Sequence, residues 1–488
     1  MIPHVYWGFI KQPHNQVTQN PLTQHEFPTN LFRLMDELST LNLTGKIIRF
    51  YNCYLVREEH LVKDDLWIRD GIILDGLTIF FSEKAMPDIL IDVGGGIISP
   101  GLIDVQVNGA YGYDFSNPDQ DIENACNQVA ERLPQTGVTA FCPTIITSCQ
   151  ELYPKLISGY QKYVNKPNCS KVLGIHLEGP FISTDCAGMH QTDYIKGFGT
   201  NPIKTISEIY GPNLDRVKMI TIAPELEGAS TAAAYLSSLG IVVSIGHTNS
   251  DYESAESVLS SGATFVTHLF NAMPSFHHRK AHIFGLFAGT KTPLHIGLIA
   301  DLVHSHPAAL RLADAISPGH VTLVTDCNTA FGLPDGSYTF GEQNIQVEAG
   351  KAYIAGTNCL AGGTTPLLTC VRNFWLEVTR EKLNAEPNVP KEWAGLGYAL
   401  AAASTRPASV LCLLSSNASN SIHKSSSESV LPLGTLNSGS SADFIIIHPV
   451  LTETSPKPQI KLLCTWINGK PVYFCSDHHV YFNIRSST

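Results

Sequence analysis

The middle of the chain repeats one unit, a short apolar run followed by a longer segment rich in alanine, leucine and serine. Short apolar runs are typical of buried strands, and the longer segments are typical of helices. Eight such units predict an α/β fold built around a parallel (β/α)8 TIM-like barrel. The predicted strands are residues 103–107, 138–142, 172–177, 219–223, 242–245, 265–267, 296–300 and 321–325. The predicted helices include residues 123–133, 230–239, 252–260 and 307–316.

The two ends of the chain have a different residue pattern from the middle. Short β-type runs at residues 47–52 and 66–69 are broken by Asp-Gly turns, and similar runs near the C-terminus bracket the Asn468-Gly469 turn. We therefore predict a small β-sandwich domain built from both chain ends. The expected division is an N-terminal extension at 1–43, the sandwich at 44–98 and 431–488, and the catalytic barrel at 99–430. The Ser-rich stretch 415–429 is expected to be a surface loop.

Composition excludes several classes of partner. A formal net charge of -11 argues against binding to nucleic acid or to an anionic membrane, although a few local cations would still hold one phosphate. No uncharged apolar run approaches the roughly 20 residues that span a bilayer, and the first 20 residues lack the apolar core of a signal peptide. The 12 cysteines are scattered without a Cys-x-x-Cys pair, which suits a reducing compartment. We expect a cytoplasmic protein.

Polar side chains follow five of the predicted strands. Glu178 ends the third strand, His247 and His268 follow the fifth and sixth, His304 follows the seventh, and Asp326 follows the eighth. Barrel strands present their carboxyl ends to one face, where barrel active sites lie. A single histidine at a strand end is usually structural, but five polar residues in corresponding positions predict a functional site.

The residue types suggest metal-assisted hydrolysis. Two imidazoles and one carboxylate, here His247, His268 and Glu178, form a common catalytic zinc set that leaves one position open for water. Asp326 is placed to act as general base, with a role as a turn cap as its alternative. His190, in the loop after the third strand, is a candidate donor to the developing oxyanion, with a surface histidine as its alternative.

Several segments carry a resemblance to a known family. The sequence resembles the N-acetylglucosamine-6-phosphate deacetylases of the amidohydrolase superfamily from about residue 45 to 475. The matching motifs are Ser-Pro-Gly-Leu-Ile-Asp-Val-Gln-Val-Asn-Gly at 99–109, His-Leu-Glu-Gly-Pro-Phe at 176–181, Gly-His-Thr-Asn at 246–249, Thr-His-Leu-Phe-Asn-Ala-Met at 267–273, Leu-Val-Thr-Asp at 323–326 and Leu-Ala-Gly at 360–362. The resemblance implies hydrolysis of N-acetylglucosamine 6-phosphate to glucosamine 6-phosphate and acetate.

The resemblance also implies residue roles and a homodimer. Glu178, His247 and His268 would bind the metal, Asp326 would be the base, and His190 would polarise the acetyl carbonyl. Arg279 suits the phosphate because its donors form a planar fork, and in this family such an arginine reaches across a dimer interface. The implied substrate-binding residues are Met189, His190, Asn271, Ala272, Arg279, Asp301, His304, Leu360, Ala361, Gly362, Gln106 and Asn108.

One position bears on the number of metal ions. Amidohydrolases with two metal ions carry His-x-His after the first strand, where this chain has Gln106-Val107-Asn108. Amide side chains are poor ligands for transition metals, so one divalent ion per chain, Zn²⁺ in the first instance, is expected.

The sequence departs from the family at a few positions, and alternatives stay open. Leu302 stands where glycine is usual and is expected to affect the loop that carries His304. Lys280-Ala281-His282 replaces a usual Asp-Pro-Gly. The alternatives are a related amidohydrolase that acts on N-acyl amino acids or cyclic amides, and a non-catalytic scaffold with the same fold.

Overall fold

The computed structural model describes residues 42–289, 294–415, 431–452, 455–475 and 483–486. Almost all of the predicted N-terminal extension and of the Ser-rich stretch 415–429 lies outside these residues. No helix in the described part of the chain combines the length and apolar character needed to cross a bilayer.

Eight parallel strands form the barrel, as the sequence predicts. Each barrel strand pairs with the next one along the chain, from the first to the eighth. The strands are β1 (Leu102–Val107), β2 (Val138–Ile146), β3 (Ile175–Glu178), β4 (Val217–Ile222), β5 (Val242–Ile245), β6 (Ala263–Val266), β7 (His295–Ile299) and β8 (Val321–Val324). The predicted third strand is shorter than expected because Gly174, with φ of 140°, separates β3 from the two-residue strand Lys171–Val172.

Between β8 and β1 the barrel is closed by hydrogen bonds of side chains as well as by a backbone bridge. Val107 and Cys327 form an isolated parallel bridge. The hydroxyl of Thr325 donates to Asp104 Oδ2 at 2.5 Å, and the Thr325 amide donates to Oδ1 of the same carboxylate at 3.3 Å. Asp104 is therefore a buried polar link across the seam of the barrel.

Burial explains the residue types of the strands, and capping residues explain where two of the helices begin. Every residue of β1 and β2 is buried, because helices cover the outside of the barrel and side chains fill the inside. Asp121 and Asp251 accept backbone hydrogen bonds at the N-termini of two helices. The helices are α1 (Ile122–Arg132), α2 (Leu152–Lys162), α3 (Pro202–Tyr210), α4 (Ala229–Ser238), α5 (Tyr252–Ser260), α6 (Pro307–Ile316), α7 (Leu367–Phe374), α8 (Leu396–Ala401) and α9 (Thr405–Val410).

Strands from both ends of the chain form two sheets beside the barrel. One sheet has the order Asn483–Ser486, Ile89–Asp92, Ile48–Tyr51, Leu66–Arg69 and Ile72–Leu74. The other has the order Lys470–Phe474, Ser455–Ile467, Phe444–Thr452, Ile97–Pro100, Tyr54–Arg57 and His60–Lys63. Phe50, Phe444 and Trp466 pack together between the sheets with ring centroids 5.1–5.5 Å apart. The exact domain boundaries stay predictions.

A three-stranded antiparallel sheet follows β8 and was not predicted. Its strands are Gly336–Phe340, Gln343–Glu348 and Lys351–Ile354. Its apolar side chains pack on Ile146 at the end of β2 and on Met189 in the loop after β3. The insertion therefore builds one wall over the mouth of the barrel.

Candidate active site

Three side chains able to bind a metal converge at the carboxyl ends of β3, β5 and β6. Nε2 of His268 lies 3.1 Å from Oε1 of Glu178 and 3.1 Å from Nε2 of His247. Nε2 of His247 lies 3.2 Å from the same carboxylate oxygen. All three residues are buried. Burial alone would raise the pKa of Glu178, but the hydrogen bonds from His247 and His268 hold that pKa well below its usual range.

The spacing and chemistry of these atoms suit a small divalent cation. Nδ1 of His247 donates to the carbonyl oxygen of Cys186 at 2.9 Å, so in the neutral ring the lone pair lies on Nε2 and is directed at the cluster. Tetrahedral zinc with bonds of about 2.0–2.1 Å holds its ligand atoms about 3.3 Å apart, close to the separations found here. The residues therefore fit one metal ion.

Asp326 lies beside the cluster, two residues after the end of β8. Its Oδ1 accepts hydrogen bonds from Nδ2 of Asn108 at 2.7 Å and Nε2 of Gln106 at 3.0 Å. Nε2 of Gln106 also donates to Glu178 at 2.8 Å, so one amide connects the two carboxylates. Burial and the negative charge of Glu178 raise the pKa of Asp326 to about 6. A carboxylate with a pKa near neutrality is suited to accept and return a proton.

The turn after β8 has its own cap. Oδ1 of Asn328 accepts from the backbone amide of Ala330 at 2.8 Å. Within the part of the chain that the structure describes, no backbone amide donates to the side chain of Asp326. The geometry therefore gives the turn-cap alternative for Asp326 no support.

His190 is buried rather than a surface histidine. The amide of Thr147 donates to its Nδ1 at 3.2 Å, and the Thr147 hydroxyl lies 2.8 Å from the same nitrogen. Because Nδ1 accepts, the ring proton is assigned to Nε2. Burial and the nearby His247 lower the pKa of His190 to about 3, so the ring is neutral. His190 thus offers one N–H donor beside the cluster.

These side chains share a cavity of about 210 Å³ at the mouth of the barrel. His247, His268 and Asp326 all have positive φ angles, of 46°, 28° and 49°. Such angles in residues other than glycine cost about 1–3 kcal/mol each and cluster at functional sites. The cavity is lined by Asn108, Ile146, Glu178, Gly188, Met189, His190, His247, His268, Asn271, Ala272, His304, Asp326, Phe340, Cys359, Leu360 and Gly362.

Comparison with known proteins agrees with this geometry. Residues 97–374 match the Amidohydrolase family. The N-acetylglucosamine-6-phosphate deacetylase of Danio rerio is 40% identical over 412 residues, covering 83% of this chain and 94% of the relative. The human enzyme of that name is 39% identical over 433 residues, covering 88% and 96%. The chain belongs to the N-acetylglucosamine-6-phosphate deacetylase family of amidohydrolases.

The fold of this family member is also the fold of the solved deacetylases. The Mycobacterium smegmatis enzyme, in complex with N-acetyl-D-glucosamine-6-phosphate, has a TM-score of 0.69 at 25% identity, covering 88% of this chain and 99% of that one.

Some predicted substrate-binding residues of this deacetylase-family chain lie behind the cavity wall. Asp301 accepts from Nδ1 of His304 at 2.7 Å and so orients that histidine. The carbonyl oxygen of Ala361 accepts from Asn328 at 2.6 Å. Gln106 is buried and donates to Asp326, which lines the cavity. These residues can position others that line the cavity.

Arg279 lies away from the cavity of its own chain. Its side chain is exposed, and its neighbours His277, His278 and Lys280 are exposed as well. Leu302 has a φ of 64°, the conformation that glycine favours, and His304 still lines the cavity. The loop therefore keeps a glycine-type turn despite the leucine.

Four cavity residues were missed from the sequence: Ile146, Gly188, Phe340 and Cys359. Phe340 belongs to the unpredicted antiparallel sheet, whose alternating residues and Gly341 and Gly350 turns were a usable signal. Ile146 was missed because β2 extends to residue 146 rather than 142. No local pattern marks Gly188 or Cys359.

Proposed function

We propose that this protein is a metal-dependent deacetylase that hydrolyses N-acetylglucosamine 6-phosphate to glucosamine 6-phosphate and acetate. The observation that carries the proposal is the buried cluster of Glu178, His247 and His268, with Asp326 beside it, in one cavity. Relatives about 40% identical over most of the chain bear that enzyme name.

The side chains of this chain divide the proton transfers between them. Asp326 accepts a proton from the attacking water and passes it to the amide nitrogen as the C–N bond breaks, which releases the free amine and acetate. Asn108 and Gln106 hold Oδ1 of Asp326, leaving Oδ2 for this exchange. His190, neutral with its proton on Nε2, donates to the carbonyl oxygen as negative charge develops there.

We further propose one Zn²⁺ per chain, held by Glu178, His247 and His268. Such an ion, when bound, would activate water as a nucleophile near neutral pH and polarise the carbonyl. The donor set of two imidazoles and a carboxylate supports zinc, and the amides at Gln106 and Asn108 argue against a second ion.

The sugar phosphate is proposed to lie between the cluster and the mouth of the cavity. Asn271, Ala272 and His304 line the cavity, and the side chains of Asn271 and His304 offer polar atoms to a ligand. Arg279 is exposed in its own chain, which is consistent with a phosphate contact made in a partner subunit of a homodimer. A cytoplasmic location is supported by the 12 cysteines, all of which are free thiols.

The test is acetate release from purified, metal-loaded protein. The substrates to compare are N-acetylglucosamine 6-phosphate, free N-acetylglucosamine, an N-acetyl amino acid and a cyclic amide, with Glu178→Ala as a control that cannot hold the metal. We expect efficient turnover of the phosphorylated sugar alone. Preferred turnover of the amino acid or cyclic amide would support the related amidohydrolase, and no turnover of any compound would support the scaffold.

A further inference from the structure

A second cavity of about 240 Å³ lies next to the active-site cavity. The two cavities share Ile146 and Met189 as lining residues. Phe340 lines the first cavity and Gly341, the next residue, lines the second. These residues therefore form a partition between the two spaces.

The partition is packed and apolar. Ile146 and Met189 are only 4% and 8% exposed, and both pack with Phe340 in one hydrophobic cluster. Nε2 of Gln343 donates to the carbonyl oxygen of Met189 at 2.8 Å, which fixes the backbone of the loop. A well-packed side chain at such a position sets a firm limit on what fits beside it.

In the proposed reaction, the partition stands beside the position of the acyl group. Met189 directly precedes His190, the donor to the carbonyl oxygen, and Thr147, which orients His190, directly follows Ile146. The carbonyl carbon has three substituents: in the proposed reaction its oxygen accepts from His190, and its nitrogen leads to the sugar. The third substituent is the methyl group, which carries no hydrogen-bonding atom. It fits the apolar side chains of Ile146, Met189 and Phe340.

We propose that Met189 and Ile146 limit the enzyme to short acyl groups by closing off the second cavity. This inference rests on the proposed deacetylase function and specifies its substrate range. Truncation of either side chain should join the two cavities and admit longer acyl chains.

The second cavity also predicts which longer chains enter. Its polar lining includes Ser116, Ser148 and Gln191, together with the acidic residues Asp119 and Glu342, and no lysine or arginine among the described residues lines it. Neutral acyl chains should therefore be accepted. A chain that ends in a carboxylate, such as succinyl, should be rejected by the two acidic residues.

The experiment compares kcat/KM for the N-acetyl, N-propionyl, N-butyryl and N-succinyl derivatives of glucosamine 6-phosphate. The ratio of propionyl to acetyl kcat/KM within one preparation does not depend on the fraction of folded enzyme. We expect the wild type to favour acetyl at least tenfold over propionyl, since one methylene in a tight pocket is worth about 10–200-fold. Met189→Ala and Ile146→Ala should each raise the propionyl and butyryl ratios at least tenfold, but not the succinyl ratio.

Two control variants separate pocket size from loss of packing. Met189→Leu keeps side-chain volume and should keep the preference for acetyl. Val347→Ala truncates a buried member of the same hydrophobic cluster that lines neither cavity, so it should lower Tm without changing the ratios.

Equal wild-type rates for acetyl and butyryl compounds, or unchanged ratios in both truncated variants, would overturn the inference while acetyl turnover still upheld the proposed function. A gain for the succinyl derivative equal to that for butyryl would overturn the charge argument. Wild-type inactivity toward all four derivatives would reject the deacetylase function together with the inference.

Discussion

Nδ2 of Asn108 donates a 2.7 Å hydrogen bond to Oδ1 of Asp326, across the seam where the first and last barrel strands meet. Both residues lie beyond the ends of their strands, so the closure of the barrel brings donor and acceptor together. The bond leaves Oδ2 of Asp326 available for chemistry. It also means that the carboxylate is held in place by side chains outside the cluster of Glu178, His247 and His268.

The first prediction concerns Asp326→Asn. The asparagine keeps an oxygen that can accept from Asn108 and Gln106, but it cannot take a proton from water. We expect kcat to fall by about 10²–10⁴-fold, the usual contribution of general acid–base catalysis, with metal content and Tm near wild type. Near-wild-type kcat in fully metal-loaded Asp326→Asn would disprove the role of general base, and loss of metal would make Asp326 a ligand.

The second prediction concerns metal content. Elemental analysis should find about one ion per chain, since among the described residues only one cluster of suitable ligands is present. Replacement of a ligand, as in His268→Ala, should lower both metal content and activity, whereas Asp326→Asn should lower activity alone. Two ions per chain, both needed for turnover, would contradict this prediction.

The third prediction concerns His190→Phe. Phenylalanine keeps an aromatic ring beside His247, whose ring centroid lies 4.4 Å from that of His190, but removes the Nε2 donor. Loss of one oxyanion donor costs about 10²–10³-fold in kcat. Metal content should stay unchanged, because His190 is not part of the ligand cluster. A change confined to KM would assign His190 to substrate binding instead.

The fourth prediction concerns the phosphate. Charge-assisted hydrogen bonds contribute roughly 1.5–3 kcal/mol each, so Arg279→Ala should reduce kcat/KM for N-acetylglucosamine 6-phosphate by about 10–100-fold. The same variant should leave the low activity toward free N-acetylglucosamine unchanged. The neighbouring Lys280→Ala is the matched control for loss of one exposed positive charge in the same loop. Equal losses in the two variants would indicate a general electrostatic effect rather than a specific phosphate contact.

The fifth prediction concerns Asp104 and pH. Burial, only partly offset by hydrogen bonds from Thr325, raises the pKa of Asp104 to about 7, against about 3.9 in an unfolded chain. Between about pH 4 and pH 7 the folded state therefore binds more protons than the unfolded state. The contribution of this group to the free energy of unfolding falls as pH rises through that window.

Asp104→Asn should remove this part of the pH dependence. The drop in Tm between pH 5.5 and pH 7.5 should be smaller in Asp104→Asn than in the wild type. Asp215→Asn, which removes an exposed carboxylate, should behave like the wild type. An unchanged Tm difference in Asp104→Asn would show that the group does not titrate in this window.

Sequence reasoning found the barrel because its signal is local and repeated. The helices Tyr252–Ser260 and Pro307–Ile316 and the strand Val242–Ile245 lie at their predicted bounds. Glu178, His247, His268 and Asp326 could be predicted to lie together because the carboxyl ends of all barrel strands face the same mouth. The features that could not be predicted depend on contacts between segments that are far apart in the chain.

Two features of the candidate site could not be predicted for this reason. The link from Gln106 to both Glu178 and Asp326 depends on the distance between strands that are far apart in the chain. The placement of Arg279 outside its own cavity depends on how a loop leaves the barrel, which no local pattern records. The antiparallel sheet at 336–354 is different, because the alternation of its residues and its glycine turns are local signals in the sequence.

The sandwich joins segments of the chain that are synthesised at very different times. Nη1 of Arg57 donates to the carbonyl oxygen of Leu436 at 2.9 Å, across 379 positions of the chain. Ile97–Pro100 likewise pairs with Phe444–Thr452. During synthesis the first sandwich strands must therefore remain without these partners until the whole barrel has emerged. Their apolar faces lack these partners through that interval, and apolar strands left uncovered in this way are prone to aggregation in a growing chain.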